Sequence, residues 1–273
     1  TGEWKIKTSP SVTYGTNGFF ILKDGNSVTD QSGNSNNFTV GGGTLTNTED
    51  NPSNVFATWN PLDSYYIGGT PSNGNTTWQT NNSNFSYNFS TLGMTSGKYY
   101  AEIKCTADTG SNDMIIGITS TQPTGTNQEL GHFSNNYGYY ASNGNYRSGD
   151  SNTVYGTAWT VGAVICIAVD LDNNKLYFRR DANAWENSGN PASGSTGTGA
   201  ISITDPTSTS LGAYFFSICN WSSSTNSTFQ ANFGNGYFGT TAVASAGTNA
   251  SGNGIFEYDV PTGYTALSTK GLN

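Results

Sequence analysis

The sequence predicts an all-β protein folded as an antiparallel β-sandwich. Roughly a dozen short apolar or alternating runs follow one another with turn residues between them, as in sandwiches and barrels. Gly accounts for 35 of the 273 residues, where about 7% is usual. The strong helix formers Ala, Leu, Glu and Lys are scarce, and no segment has a convincing helical period.

Composition indicates a folded, acidic protein. Aromatic residues make up 13% of the chain and charged residues only 10%, whereas disordered chains carry few aromatics and more charge. The net charge is −8 and the pI about 4.4, which argues against nucleic acid or an anionic membrane as partner. No run approaches the ~18 apolar residues of a membrane helix, so we expect no membrane insertion.

The N-terminal part is predicted to hold short strands and loops. Residues 19–22 and 37–40 are apolar runs that we interpret as strands, with loops at 24–26 and 30–34. The predicted docking points of the first residues are Trp4, Ile6 and Tyr14, and a further apolar run covers 65–67. The N-terminus carries neither an initiating Met nor a signal peptide, so we interpret the sequence as a processed product, a fragment or an incomplete chain.

Two segments in the middle of the chain alternate strictly. Apolar residues stand at 85, 87 and 89. In 98–105, Tyr99, Ala101, Ile103 and Cys105 take one face, and Tyr100, Glu102 and Lys104 take the other. Alternation with period two is typical of strands with two different faces. A short buried strand is expected at 114–118, followed by a polar loop over 119–136.

The second half predicts hairpins. Residues 137–141 and 145–147 flank a Ser-Asn-Gly turn, and 164–169 and 175–178 flank Asn173-Asn174. Because Asn tolerates positive φ, we expect a two-residue turn at this second site. Strands are also expected at 211–219 and 229–233, separated from the hairpin by a Gly/Ser/Thr loop over 187–200.

The three cysteines lie far apart in sequence, in or beside apolar runs. Cys105, Cys166 and Cys219 show no CxxC and no metal-ligand spacing. We interpret them as buried free thiols that pack as small apolar groups. One disulfide with a thiol left over is the alternative.

The sequence offers little for catalysis. The single histidine, His132, lies in a predicted loop, and no Ser stands in a Gly-x-Ser-x-Gly elbow. Four acids are candidates for the paired carboxylates of a glycosidase: Glu102, Asp170, Asp172 and Glu186. Asp170 and Asp172 would share a strand face, but they end a strand, where Asp more often stabilises a turn. We therefore assign no catalytic residue.

Oxygen-rich stretches around Asp30 and around Asp170 raise the question of calcium. A calcium ion needs six to eight converging oxygens, and neither stretch has the Gly and Glu of an EF-hand loop. We predict no metal site and no cofactor.

Aromatic side chains with polar neighbours are the candidates for sugar recognition. Aromatic rings stack on sugars, but they also dominate protein cores, and we expect about half of the candidate rings to be core. Tyr146-Arg147 and Trp185 with its neighbours are expected to be the most exposed. The predicted ligand-binding residues are Tyr139, Tyr140, Tyr146, Arg147 and Trp185.

Several segments resemble the SPRY (B30.2-like) domain. The similar runs are GKYYAEI at 97–103, IGI at 116–118, GYY at 138–140 and VICIAVDLD at 164–172. The segment 183–185 stands where the family has an Asn-Gly turn, but Ala184 replaces the Gly. The resemblance implies a concanavalin-like jelly roll of two antiparallel sheets. It also implies a binding module without enzymatic activity, whose loops at one end hold the ligand.

The ends of the chain resemble SPRY-containing structural proteins of marine and cyanobacterial bacteriophages. The similar segments are 18–20, 30–38, 51–52 and 57–62 near the N-terminus, and 232–234 and 261–267 near the C-terminus. On this basis we divide the chain into an N-terminal arm with the first strands, 1–60, and a SPRY-like sandwich, 61–273.

The resemblance implies an extracellular virion component, such as a tail fibre, spike or appendage subunit. We expect it to bind a host-surface polysaccharide or protein and to form a homo-oligomer, a trimer or a fibre. One alternative is a purely structural fibre or capsid-decoration subunit without a receptor. A third interpretation is a polysaccharide-degrading enzyme.

Overall fold

The computed structural model describes residues 10–22, 28–42, 50–51, 54–62, 68–81 and 85–272. Within these ranges the regular structure is β, apart from three short 3-10 helices at Glu186–Ser188, Pro191–Thr196 and Pro206–Ser208. Two antiparallel sheets face each other, which confirms the predicted β-sandwich. No helix among the described residues could cross a membrane.

The strands are short, and they are separated by turns rich in Gly and Asn. In chain order they are β1 (Thr70–Ser72), β2 (Thr77–Gln79), β3 (Tyr87–Phe89), β4 (Lys98–Asp108), β5 (Met114–Thr119), β6 (Asn136–Tyr140), β7 (Tyr146–Ser148), β8 (Ser151–Thr153), β9 (Val164–Asp170), β10 (Lys175–Arg180), β11 (Ile201–Ser202), β12 (Phe215–Asn220), β13 (Ser227–Asn232), β14 (Tyr237–Phe238), β15 (Thr241–Ala242) and β16 (Thr265–Ala266).

The large sheet has the order β1-β2-β13-β4-β9-β10-β11, and β16 lies parallel to β4. The small sheet has the order β3-β12-β5-β6-β7-β8, and β14 and β15 form a separate hairpin. The two sheets meet where Phe178 of β10 stacks on Tyr139 of β6, with ring centroids 5.1 Å apart. This contact lies in a continuous apolar core that stabilises the sandwich by removing aromatic and aliphatic surface from water.

The alternation in β4 predicts its two faces correctly. Ala101 pairs with Ile167, and Ile167 pairs with Phe178. Paired residues point to the same side of a sheet, and Phe178 contacts the small sheet, so Ala101 and Ile167 face the small sheet too. Tyr100 and Glu102 point to the opposite, outer face. The segment after Gly247 covers that outer face, where the ring of Phe256 packs edge-on against Tyr100 at 4.9 Å.

The turn of the β9–β10 hairpin is longer than predicted, so the prediction of a two-residue turn is wrong. Asp170 pairs with Lys175, which leaves a four-residue loop over 171–174. The Asp170 carboxylate accepts hydrogen bonds from the backbone N–H and side-chain amide of Asn173, at 3.1 and 2.8 Å. In this loop only Asn174 has a positive φ, 55°. The predicted turn would need a positive φ at Asn173 as well, a conformation that Asn also tolerates.

Two predicted strands near the N-terminus are absent from the structure. Residues 19–22 and 37–40 are irregular, and the segment is organised instead by the carboxylate of Asp30. This carboxylate accepts the backbone N–H groups of Phe20, Ser32 and Asn36. Burial acts to raise the pKa of Asp30, but these hydrogen bonds lower it to about 2.

Other predictions for the N-terminal part lie outside the described residues. They are the docking points Trp4 and Ile6, the loop at 24–26 and the apolar run at 65–67. In the second half, the strand predicted at 211–219 begins later, at Phe215, because 211–213 is a bend.

Residues 54–60 pack on the sandwich. Phe56, Ala57 and Trp59 are buried in its core, and the N–H of Ala57 donates to the carbonyl of Leu267 at 2.9 Å. The predicted arm, 1–60, therefore contributes side chains to the core of the sandwich. The division of the chain into 1–60 and 61–273 stays a prediction.

Candidate functional site

The β6–β7 hairpin distributes four of the five predicted ligand-binding residues over two faces of the small sheet. Tyr139 pairs with Tyr146, and Gly138 pairs with Arg147. Since neighbouring residues of a strand point to opposite sides, Tyr139 and Tyr146 share one face, while Tyr140 and Arg147 share the other. These four side chains therefore do not form one surface.

Tyr139 is a core residue. Its side chain is completely buried, and its hydroxyl donates to the carbonyl of Thr157 at 2.6 Å and to Glu186 Oε1 at 3.2 Å. Burial, and then the nearby Glu186 carboxylate, raise the pKa of Tyr139 well above its usual range. Tyr139 stands on a strand between the two sheets, in agreement with the hairpin predicted over 137–141 and 145–147. Its role as a ligand-binding residue stays a prediction.

Tyr140 is also buried, on the outer face of the small sheet. Its hydroxyl donates to the carbonyl of Leu130 at 3.2 Å, and Ile115 and Cys219 belong to the same apolar cluster. The ring lies 5.8 Å from Trp221, which is 41% exposed at the edge of this cluster. Tyr140 thus also stands on the predicted strand, and its role as a ligand-binding residue stays a prediction.

Tyr146 and Arg147 are half-buried. The ring of Tyr146 packs edge-on against Tyr155 at 5.8 Å. Arg147 forms ion pairs with the buried carboxylate of Glu129 and, at 2.6 Å, with Asp150. Both side chains therefore already have protein partners, and the ion pairs hold the 119–136 loop against β7.

Trp185 lies on the outer face of the large sheet, next to Arg179 of β10. Its ring covers the guanidinium of Arg179 at 4.9 Å, and Tyr258 flanks the same guanidinium at 5.8 Å. Arg179 also donates to the carbonyl of Asp259 at 3.1 Å. A cation between two aromatic rings is stabilised by their negative faces, so Trp185 joins the C-terminal segment to the large sheet.

The structure contains a groove at one end of the large sheet that the sequence does not predict. We use "the groove" for a cavity of about 430 Å³ between residues 55–58, the β1–β2 turn and the residues around the β14–β15 hairpin. Its apolar wall is Val55, Phe56 and Ala57. Its polar residues are Asp50, Thr58, Asn73, Thr76, Asn235, Tyr237 and Thr240.

Turn chemistry shapes the rim of the groove. Asn73, Gly74 and Asn75 have φ values of 50°, 63° and 63°, and Asn and Gly are the residues that adopt this region readily. Gly239 in the β14–β15 turn has φ 60°. Asn73, Gly74 and Thr240 are exposed, so the groove is open to solvent at these positions.

Asn235 lies on the groove wall with unmet hydrogen-bonding capacity. The residue is 8% exposed, and its Oδ1 is buried without a partner among the described residues. A buried amide without a partner costs about 1–3 kcal/mol. Eight other buried side-chain atoms in the described ranges also lack a partner, among them Nε1 of Trp59, Trp78 and Trp159, so this oxygen alone does not mark the groove as a binding site.

The candidate carboxylates of a glycosidase do not come together. Glu102 is completely buried, and so is Asp170, which pairs with Lys98 at 2.9 Å. Asp172 accepts the N–H of Gly97 at 2.8 Å, and Glu186 accepts the N–H of Thr157 at 3.2 Å. Asp170 thus stabilises the loop that follows it, as the turn interpretation predicts, whereas Asp172 links this loop to Gly97, just before β4.

No group of three or more His, Cys, Asp or Glu side chains in the described ranges could hold a metal ion. The oxygens of Asp30, considered above for calcium, already accept N–H and O–H donors. Cys105, Cys166 and Cys219 are all buried and free, in agreement with the predicted free thiols.

The chain matches no protein-family model, and no curated protein sequence matches it. Among solved structures, it is similar to the SPRY domain of human HERC1, with 14% identity and a TM-score of 0.47 over 63% of this chain and 96% of that chain. The stonustoxin structure is similar with 16% identity and a TM-score of 0.44, over 64% of this chain and 27% of that chain.

Proposed function

We propose that this chain is a non-enzymatic component of a bacteriophage virion, in a tail fibre, spike or other appendage, and that it displays a binding surface for attachment to a host cell. The observation that carries the binding role is the groove, a solvent-open cavity of about 430 Å³ whose described walls combine apolar and uncharged polar side chains with Asp50. Its volume falls in the range of about 300–1,000 Å³ that is typical of small-ligand sites.

The groove supports binding better than catalysis. Among the described residues that line the groove, Asp50 carries the one carboxylate, whereas hydrolysis of a glycosidic bond ordinarily uses two facing carboxyl groups. Asp50 accepts the backbone N–H of Phe56 at 3.0 Å, which is the role of a structural side chain. A polysaccharide-degrading enzyme is therefore the weaker interpretation.

The virion assignment is supported by the sequence resemblance of short segments near both ends of the chain, at 18–20, 30–38, 51–52, 57–62, 232–234 and 261–267. The low content of charged residues, 10%, suits packing between subunits, because burying an unpaired charge is costly. We expect a homo-oligomer, a trimer or a fibre, in an extracellular setting.

A purely structural fibre or capsid-decoration subunit is the second candidate. Exposed apolar side chains favour it: Leu62 is 92% exposed, Val154 85% and Trp221 41%. Such side chains would be buried against neighbouring subunits. In that case the groove would have no receptor, and variants that fill it would not change the binding of the chain to cells.

Attachment to cells tests the proposal. The labelled chain is mixed with a panel of marine bacteria and cyanobacteria, and cell-bound protein is measured by flow cytometry. We compare it with Thr240→Trp, which places a large ring at the exposed rim of the groove, and with Thr196→Trp, a matched control on an exposed 3-10 turn that does not line the groove.

We expect some cells to bind the native chain and the Thr196→Trp control, but not Thr240→Trp. Binding to none of the cells would overturn the attachment role and leave the structural subunit. Light scattering of the purified chain gives the oligomeric state. A clean monomer would contradict the expected trimer or fibre.

A further inference from the structure

We infer that Asn73 is a site of spontaneous deamidation, at which the side-chain amide is converted to a carboxylate with water as the only other reactant. The site lies in the β1–β2 turn, which also forms part of the rim of the groove. The inference goes beyond the proposed attachment function and does not depend on what the groove binds.

The reaction joins an asparagine side chain to the backbone nitrogen of the next residue. The deprotonated nitrogen of Gly74 attacks Cγ of Asn73, the C–N bond of the side-chain amide breaks, and ammonia leaves from a five-membered succinimide ring. Water then opens this ring at either carbonyl, which gives an aspartate or an isoaspartate. In sum, one amide and one water are consumed, and one carboxylate and one ammonium ion are formed.

Asn-Gly pairs are the places in a chain where this attack is least hindered, because Gly has no Cβ beside the attacking nitrogen. The sequence contains five of them, at 17–18, 73–74, 143–144, 235–236 and 253–254. Sequence alone does not distinguish the five pairs. The folded structure does, through burial, hydrogen bonding and the space around each glycine.

Two of the five asparagines are buried. Asn235 is 8% exposed and Asn253 is 3% exposed. The amide of Asn253 donates to the hydroxyls of Thr265 and Ser268, at 2.9 and 3.1 Å. The N–H of Gly236, which would have to attack Asn235, donates to a buried amide oxygen at 3.1 Å. Both pairs are therefore held by hydrogen bonds that the attack would have to break without compensation from water.

Two further pairs have an exposed asparagine, but the nitrogen of the glycine is engaged. The N–H of Gly144 donates to the carbonyl of Tyr140 at 3.0 Å, and the N–H of Gly18 donates to the carbonyl of Gly15 at 3.1 Å. A Cβ placed on either glycine would clash with a backbone carbonyl oxygen. The backbone at these two pairs thus has little room to rotate into the geometry of attack.

The pair 73–74 lacks these restraints. Both residues are exposed, and the N–H of Gly74 has no hydrogen-bond partner in the part of the chain that the structure describes. Apart from the chain neighbours, no described atom lies within 4 Å of a Cβ placed on Gly74. The side-chain amide of Asn73 donates to Thr77 Oγ1 at 3.0 Å, a bond that is lost when ammonia leaves.

The product changes the rim of the groove. It removes the donor to Thr77 and adds a negative charge at a residue that lines the groove. An isoaspartate also adds one carbon to the backbone of a turn in which residues 73–75 all have positive φ. Deamidation therefore alters both the charge and the shape of this rim.

Peptide mapping by mass spectrometry tests the inference. The purified chain is kept in mildly alkaline buffer, folded in one sample and unfolded in urea in another, and is then digested with pepsin. Deamidation of each Asn-Gly pair is followed as a mass gain of one dalton, and isoaspartate is separated from aspartate by chromatography.

Two variants test the attacking nitrogen. Gly74→Ala places a methyl group beside this nitrogen in open space. Gly212→Ala is the matched control, because Gly212 also has a positive φ, 67°, and open space around it but follows Leu211. Ala is strained at positive φ in both variants, and thermal unfolding verifies that both are folded.

We expect Asn73 of the folded chain to deamidate about tenfold faster than the asparagine of any other Asn-Gly pair. In urea, the five pairs should react within about threefold of one another, because unfolding removes the burial and the hydrogen bonds that distinguish them. Gly74→Ala should slow the reaction at Asn73 about tenfold, and Gly212→Ala should leave its rate unchanged.

Three results would overturn the inference. Equal rates at the five pairs in the folded chain would show that the structure does not select Asn73. Deamidation of Asn73 in urea but not in the folded chain would show that the β1–β2 turn keeps the amide and the nitrogen of Gly74 apart. An equal slowing by Gly74→Ala and Gly212→Ala would show that the nitrogen of Gly74 is not the attacking group.

Discussion

The carboxylate of Glu102 accepts the backbone N–H of Tyr258 at 2.8 Å, although 156 residues separate them in sequence. It also accepts the N–H of Glu257, the side-chain amide of Asn232 and the hydroxyl of Tyr100. Glu102 is completely buried, so one acid in the middle of the large sheet ties down the segment that covers the sheet's outer face.

This arrangement predicts that stability falls between about pH 4.5 and pH 7. Burial raises the pKa of Glu102 from 4.5 to about 7, although its hydrogen bonds act to lower it. The unfolded chain releases this proton near pH 4.5, whereas the folded chain keeps it until about pH 7. The contribution of Glu102 to the free energy of unfolding is therefore fully present below pH 4.5 and is lost as the pH rises to 7. This contribution is at most about 3 kcal/mol.

Urea unfolding of the native chain and of Glu102→Gln at several pH values checks this prediction. Gln cannot ionise, so the variant should lack the loss between pH 4.5 and 7. Acids whose pKa values are lowered, such as Asp205 and Asp259, also make the free energy of unfolding depend on pH. Their contributions are the same in both proteins, so they cancel when the two curves are subtracted. Parallel stability curves for the two proteins would refute the role of Glu102.

The sequence predicts the position of Glu102 but not its partners. Alternation along β4 assigns Ala101 and Ile103 to one face and Glu102 to the other, because a strand repeats every two residues. The N–H groups of Glu257 and Tyr258 come from an irregular segment without such a period. Only the packing of that segment on the sheet brings them to the carboxylate.

A second prediction concerns Trp185, which we proposed from the sequence as a ligand-binding residue. Trp185→Ala removes the ring that covers the buried guanidinium of Arg179 at 4.9 Å. We expect a loss of about 2 kcal/mol in the free energy of unfolding, from packing and cation–π interaction together. Chemical denaturation measures the loss, and Trp185→Phe should lose about half as much. Unchanged stability in Trp185→Ala would show that the stacked ring is not structural.

Substitution by Asn should destabilise the protein to different extents at the two aspartates of the β9–β10 hairpin. Asp170→Asn breaks a buried ion pair with Lys98 and an acceptor of Asn173, and we expect it to cost about 2–3 kcal/mol. Asp172→Asn changes an exposed side chain with one hydrogen bond to Gly97, and we expect a cost below about 0.5 kcal/mol. Thermal unfolding of the two variants measures both losses of stability. Equal losses would contradict a structural role for Asp170 that Asp172 does not share.

The three thiols should be inert in the folded protein. Burial raises the pKa of Cys105 and of Cys166 to about 12 and raises that of Cys219 further, so little reactive thiolate forms at neutral pH. A thiol-specific chromogenic reagent should label none in the native chain and all three in guanidinium chloride. A single labelled thiol in the unfolded, unreduced chain would indicate the disulfide that the sequence left open.

The groove could not be predicted from the sequence for a physical reason. Thr58, Asn73 and Asn235 come from three distant segments that only the β-sheet registers bring together. Asn and Thr are also common throughout the chain, so these residues do not stand out. Aromatic residues do stand out, but Tyr139 and Tyr140 owe their place to the core. In a chain with few charged residues, aromatics indicate packing more strongly than binding.

The last prediction concerns Arg147, whose guanidinium pairs with Glu129 and Asp150 on the outer face of the small sheet. Arg147→Leu leaves the Glu129 carboxylate buried, with 4% of its side chain exposed and without its cation. We expect a loss of about 3 kcal/mol in the free energy of unfolding.

Glu129→Leu in the same background should restore part of this loss, because it removes the uncompensated charge as well. Urea unfolding of the native chain, the two single variants and the double variant gives the interaction energy between the two side chains, which we expect to be about 1–3 kcal/mol. Additive effects would mean that Arg147 does not compensate Glu129. Arg147 would then keep only its ion pair with Asp150, and binding assays with Arg147→Leu would test the ligand-binding role predicted from the sequence.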